Sequence, residues 1–143
     1  MSSDGLRVAV GAYREDSEDP GHVRVYDWNP MTTTWTPLGS VIDGEDADDR
    51  FGYSVAMSSG GARIAIGAIY HGDDGAGHVR VYDWNPTTTT WTQVGSNIDG
   101  EAADDQLGRS VAISGNGNHV AIGAFLDDGS GVDAGHVRVY ALG

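Results

Sequence analysis

The chain contains no cysteine, which excludes disulfides and thiol chemistry and leaves the compartment open, since β-repeat proteins outside the cell can also lack them. Basic residues are scarce: 8 Lys plus Arg against 21 Asp plus Glu give a formal charge of −13 over 143 residues. Such a balance opposes nucleic acid and anionic membranes, both of which need positive charge to meet phosphate, and favours counter-ions, divalent cations or basic partners. No apolar stretch approaches the roughly 20 residues that span a bilayer, and Met1-Ser2-Ser3-Asp4-Gly5 is not a signal peptide. No helix-length span carries a 3.6-residue apolar period, so neither helical crossovers nor a parallel sheet are expected. The G-x-S-x-G elbow, the Walker loop and H-E-x-x-H are all missing. A non-enzymatic chain with no cofactor is the expectation. Asn-x-Ser/Thr is absent as well, although repeated Thr beside Pro leaves room for O-glycosylation.

What is present is repetition. Ile64-Ala65-Ile66-Gly67-Ala68 recurs 56 residues earlier as Val8-Ala9-Val10-Gly11-Ala12 and 56 residues later as Val120-Ala121-Ile122-Gly123-Ala124. GHVRVY begins at Gly21, Gly77 and Gly135, the last step lengthened to 58 by a longer loop. The 22 glycines sit beside short β-branched runs rather than in a linker, which is the composition of an all-β repeat protein.

The complete unit, residues 51–106, offers four strands: Tyr53–Met57, Arg63–Ala68, His78–Tyr82 and Trp91–Ser96. Turn formers separate them, among them Ser58-Ser59-Gly60-Gly61 and Asn85-Pro86, so consecutive antiparallel hairpins follow. Four short antiparallel strands and a polar linker make a β-propeller blade. Alternation along the second strand points Ile64 and Ile66 at one neighbouring blade and the small Ala65 and Gly67 at the other; along the third, Val79 and Val81 oppose His78, Arg80 and Tyr82. Burying Arg80 is costly without a carboxylate or carbonyl, so Arg24, Arg80 and Arg138 are expected to be structural ion pairs or charges with buried stems. Residues 1–50 lack a first strand and residues 107–143 lack a fourth. The ring is therefore incomplete within one chain, and the chain is a piece of a longer array, or assembles with copies of itself, or stays as an open arc, the last disfavoured because a terminal blade face would expose a large apolar patch. A closed homo-oligomer, with a dimer favoured, is the expected assembly.

Phe51-Gly52 and Leu107-Gly108 at the start of the first strand, with Gly11-Ala12-Tyr13, Gly67-Ala68-Ile69 and Gly123-Ala124-Phe125 at the end of the second, resemble the FG-GAP repeat, the blade unit of integrin-α-like propellers. The proline of that name is absent from all three copies. The resemblance implies adhesion or ligand binding at the propeller faces, an extracellular or cell-surface setting, and often calcium between the first two strands. The calcium cage does not carry over. The corresponding turns Ser2-Ser3-Asp4-Gly5, Ser58-Ser59-Gly60-Gly61 and Ser114-Gly115-Asn116-Gly117 offer at most one carboxylate each, and Ca²⁺ wants 6 to 8 oxygen ligands.

Two rims carry the candidate sites. Strand direction puts the loops between second and third strands on the same rim as the linkers, gathering Asp48, Asp49, Asp73, Asp74, Asp104, Asp105, Asp127 and Asp128 beside His22, His78 and His136. That face reads either as a surface for cations or basic partners or as turn-forming carboxylates that keep the rim soluble. The opposite rim carries Trp28, Trp35, Trp84 and Trp91 around the Thr-rich hairpins. These form cross-strand aromatic pairs or a sugar-stacking platform. A non-enzymatic module for protein binding or structural assembly is the leading expectation, with a lectin-like or cation-dependent adhesion module as the alternatives.

Overall fold

The structure, a computed structural model, describes residues 1–13, 18–71, 75–126 and 135–143. The described residues contain strands and turns and no helix, so none is long and apolar enough to cross a membrane. The strands group into three antiparallel sheets, one per repeat. The first holds β1 (Arg7–Ala12), β2 (His22–Asn29), β3 (Thr34–Pro37) and β4 (Ile42–Asp43). The second holds β5 (Phe51–Met57), β6 (Arg63–Ala68), β7 (His78–Asn85), β8 (Thr90–Gln93) and β9 (Ile98–Asp99), and the third β10 (Leu107–Ile113), β11 (His119–Ala124) and β12 (His136–Ala141). The chain is thus all-β, a run of blade-like sheets that does not close into a ring.

Four strand boundaries of the complete unit differ from the sequence expectation: the first strand begins at Phe51, the third ends at Asn85, and the fourth both begins and ends earlier, as Thr90–Gln93. The third strand of the complete unit runs on to Asn85, because its second half pairs with β8 through Tyr82↔Gln93 and Asn85↔Thr90. That pairing leaves the first half of β7 an open edge, and the linker fills it: Ile98 and Asp99 return to pair with Val79 and His78. The linker thereby covers backbone groups that would otherwise be unpaired.

Register sets the faces. Ile64↔Tyr82, Ile66↔Arg80 and Ala68↔His78 lie opposite each other across β6 and β7, so all six side chains share one face. This face packs on the first blade: Ile64, Ile66, Ala68 and Tyr82 join Val23, Val25, Ile42 and Phe51 in one buried cluster. The other face of the same strands, with Ala65, Val79 and Val81, joins Leu107, Val120, Ile122 and Ala124 in a second cluster. Two cores therefore lie between blades rather than within any one of them. Each fully buried Val or Ile contributes about 1.5–3 kcal/mol, and it does so only where a neighbouring blade is present.

Polar staples tie the blades together at the rim of the first hairpin. Arg63 grips Asp83 with both Nε and Nη2 and reaches with Nη1 to the Gly117 carbonyl of the third blade at 2.9 Å. Arg7 repeats the arrangement with Asp27 and the Gly61 carbonyl of the second blade, also at 2.9 Å. Ser3 and Ser59 extend the seam by donating backbone N–H groups to the carbonyls of Ser59 and Gly115, each at 2.9 Å. The planar guanidinium fork makes three directed bonds that an ammonium cannot. Arg63→Ala is accordingly expected to cost about 1–3 kcal/mol, and Arg63→Lys to recover only part of it, read as a shift of the urea unfolding midpoint at constant slope.

Candidate functional site

A polar cluster occupies the seam between the first two blades. Arg80 is buried there; its Nε donates to His78 Nε2 at 3.1 Å, and its Nη1 donates to the Tyr82 hydroxyl at 3.1 Å. Its guanidinium carbon lies 4.7 Å over the Phe51 ring. Glu45, in the linker from the first blade, stands 3.6 Å from Nη2, an ion-pair contact longer than a hydrogen bond. Arg138 meets Glu101 of the next linker at 2.8 Å in the equivalent arrangement. These arginines are structural ion pairs, with Arg80 spread over an aromatic face as well.

His78 is fully buried beside Arg80 and its ring stands edge-on to His71, with centroids 4.1 Å apart. His71 Nδ1 lies 3.1 Å from Asp49 Oδ1. Burial above all, then the nearby His71 and Arg80, pushes the His78 imidazole down to about 3. The ring is therefore neutral at pH 7. Since Nε2 accepts from Arg80, the proton sits on Nδ1, which has no hydrogen-bond partner among the described residues. Ligand atoms of His71, His78 and Asp99 lie within 4.8 Å of one another, as do those of Asp46, Asp49 and His71. Their types suit a transition ion. At His71, His78 and Asp99 the geometry does not: the arginine occupies the lone pair of Nε2 of His78, its remaining nitrogen is protonated, and the guanidinium adds a fixed positive charge beside it.

The neutral buried imidazole has a consequence for stability. Unfolded chains bind a proton on His78 below about pH 6.5 and the folded chain does not until about pH 3. Stability is then fully present above pH 6.5 and is expected to fall as pH drops, at about 1.4 kcal/mol per unit from this group. Urea unfolding at pH 6.5 and pH 5 measures the slope, and His78→Gln is expected to flatten it.

The linker carboxylates divide into two kinds. Asp49 and Asp105 are buried, not rim charges; their Oδ2 atoms accept the N–H groups of Asp46 at 3.0 Å and Ala102 at 2.9 Å. They hold the linker turns shut, and the Asp49 and Asp105 carbonyls accept from Tyr70 and Leu126, tying each turn to the loop that follows the second strand. Asp48 and Asp104 are exposed with left-handed backbones, φ 68° and 61°, a conformation Asp tolerates. Asp73, Asp74, Asp127 and Asp128 lie outside the described residues. His71 escapes a motif search because its role depends on Asp49, distant in sequence. The available signal is its departure from the repeat, for Glu15 and Asp127 stand at the equivalent positions.

On the opposite rim Trp28 pairs across strands with Trp35, and Trp84 with Trp91, at centroid distances of 5.5 and 5.4 Å. Trp91 Nε1 donates to the Leu38 carbonyl at 3.2 Å, so this pair also braces the first blade. The Thr hairpins satisfy themselves: Asn29 and Asn85 side chains accept from the turn backbone, and Thr32 with Thr34, like Thr88 with Thr90, share a hydroxyl bond at 2.7 Å.

The outer face of the third blade is open. A groove of about 730 Å³ runs along Arg109, Ser110, Gly123, Phe125, Gly135 and Val137. Val137 and Val139 are each 68% exposed, whereas their counterparts Val79 and Val81 are 0% and 2% exposed. On the first blade Val10 is 50% exposed where Ile66 is completely covered.

A model of the FG-GAP repeat matches residues 91–140, so the chain carries an FG-GAP-type repeat from Trp91 to Tyr140. No curated protein sequence matches the chain. Among solved structures, a candidate 6-phosphogluconolactonase of Bacteroides uniformis is similar with a TM-score of 0.60 and 17% identity, over 96% of this chain and 34% of that one. Hydrazine synthase of Kuenenia stuttgartiensis is similar with a TM-score of 0.57 and 15% identity, over 99% of this chain and 43% of that one. The chain thus spans less than half the length of either structure, and at these identities the likeness is one of fold, of propeller type.

Proposed function

We propose that this chain is a non-enzymatic β-propeller repeat module that binds protein through its two open blade faces, with a second copy of itself as the favoured partner. The observation that supports it is the exposure of Val137 and Val139 at positions whose internal counterparts are buried. Contiguous apolar surface of this kind, rimmed by polar residues, marks interaction sites. The two faces are also complementary in kind. The third blade presents the Val137 and Val139 face, and its equivalents Val23 with Val25 and Val79 with Val81 already pack on a following blade. The first blade presents Val8, Val10 and Ala12, the equivalents of Ile64, Ile66 and Ala68, which already receive a preceding blade. Head-to-tail docking therefore repeats an interface the chain makes internally, and a cyclic dimer closes it.

Light scattering across a micromolar concentration series tests this. The expected result is a mass rising to that of a dimer, with Val137→Lys/Val139→Lys remaining monomeric and folded by circular dichroism. A wild-type chain that stays monomeric and cooperatively folded throughout would overturn self-association.

A further inference from the structure

We propose that the groove on the third blade is a strand socket that captures an extended protein segment carrying Phe-Gly or Leu-Gly. The inference deepens the reading of that face as a protein-binding surface and rests on it. Its ground is that the chain contains the same socket twice more, each time filled by such a segment.

In the first filled socket the host is the first blade and the guest is Phe51-Gly52. A Cβ on Gly11 would overlap the Gly52 carbonyl oxygen, and one on Gly21 would overlap that of Phe51. The Phe51 N–H donates to the Pro20 carbonyl at 2.8 Å, and the Phe51 ring is fully buried among Val23, Val25 and Ile66. In the second, the host is the second blade and the guest is Leu107-Gly108. A Cβ on Gly67 would overlap the Gly108 carbonyl oxygen, and one on Gly77 that of Leu107. The Leu107 N–H donates to the Ala76 carbonyl at 3.0 Å, and Gly77 bridges Leu107 in parallel. The host's Ser54 adds a hydroxyl bond to the Gly108 carbonyl at 2.6 Å.

The guest residues are dictated by the same contacts. Gly52 and Gly108 have φ of 88° and 94°, and a Cβ on either would meet the host carbonyl of His22 or His78 at 2.7 Å. Only glycine satisfies both the left-handed backbone and the close approach. The residue before it must be large and apolar, since Phe51 and Leu107 both fill a buried space between host valines. An aromatic after it finds a ring partner, as Tyr53 finds Tyr13 at 4.9 Å.

Gly123 and Gly135 of the third blade repeat the host glycines, and among the described residues they have no guest. Among the described residues the nearest atoms to a Cβ on Gly123 belong to Ser110 of its own blade, and those to a Cβ on Gly135 to Ala124 and Phe125. Ser110 stands where Ser54 stands, and Phe125, 55% exposed, stands where Tyr13 stands. A second copy docked head to tail covers Val137 and Val139 but leaves the socket open, because its Phe51-Gly52 and Leu107-Gly108 are both engaged between its own blades. Capture of the segment is thus separate from self-association.

The probe is a labelled synthetic peptide with the sequence of residues 50–57, RFGYSVAM, titrated with the full chain and followed by fluorescence anisotropy. Saturable binding is expected, weakened about tenfold or more by Gly52→Ala in the peptide or Gly123→Val in the protein. The peptide variant leaves the protein untouched, so it decides the question even where Gly123→Val fails to fold. No binding, or equal binding of the Ala peptide, overturns the socket. Oligomers seen by light scattering without peptide binding would leave the protein-binding reading standing and remove the socket alone.

Discussion

Phe51→Ala is expected to destabilise the chain by about 3–5 kcal/mol, a large part of the roughly 5–15 kcal/mol that holds an ordinary domain together. The ring is fully buried and bridges two blades, contributed by β5 and packed among Val23, Val25, Ile64 and Ile66. Truncation removes this apolar surface and leaves a cavity that rigid strands on both sides cannot collapse. It also strips Arg80 of the aromatic face 4.7 Å below its guanidinium, leaving a buried charge with a weaker environment. Leucine stands at the equivalent position 107, so Phe51→Leu is expected to cost only about 1–1.5 kcal/mol. Urea unfolding at pH 7 separates the two variants. Equal midpoints for wild type and Phe51→Ala would show that the first two blades are not joined through this ring.

Gly67→Val is expected to abolish cooperative folding. A Cβ at this position would overlap the Gly108 carbonyl oxygen and crowd the Ser54 hydroxyl that donates to it. The obstacle is backbone, which cannot rotate away as a flexible side chain can, so the third blade must withdraw from the second. Withdrawal opens the cluster of Ala65, Val79, Val81, Leu107, Val120 and Ile122, several residues each worth about 1.5–3 kcal/mol when buried. Gly60→Ala is the control, for nothing lies within 4 Å of a Cβ placed there and its backbone is not left-handed. It is expected to stay within about 0.5 kcal/mol of wild type. A thermal melt that is sigmoidal for Gly60→Ala and featureless for Gly67→Val is the predicted pair of results; a normal transition in both would contradict the close stacking of blades.

Much of this architecture was legible in the residues. The period of 56, the turn chemistry and the alternation of Ile64 and Ile66 with Ala65 and Gly67 lead to antiparallel blades with two different faces, and the register confirms those faces. The cross-strand Trp pairs follow from spacing in the same way. Other features depend on contacts between distant segments and leave little local trace. Ile98-Asp99 pairs with β7 only because β8 leaves that edge open. Asp49 and Asp105 look like surface charge in an acidic linker, yet each turns inward to satisfy a backbone N–H that would otherwise be unpaired. His71 gains its partners from a linker some twenty residues away.

The hexapeptide GHVRVY separates what sequence determines from what tertiary structure decides. By itself it specifies a strand, the side on which each residue points, and the placing of two valines on one face, and it does so identically at residues 21–26, 77–82 and 135–140. It does not specify burial. Val25 and Val81 are enclosed because a following blade packs on them, and Val139 is open because none does. Backbone conformation is local, set by steric limits, turn residues and alternation; removal of apolar surface from water requires a second surface. The same six residues therefore make core at two places and an exposed apolar face at the third.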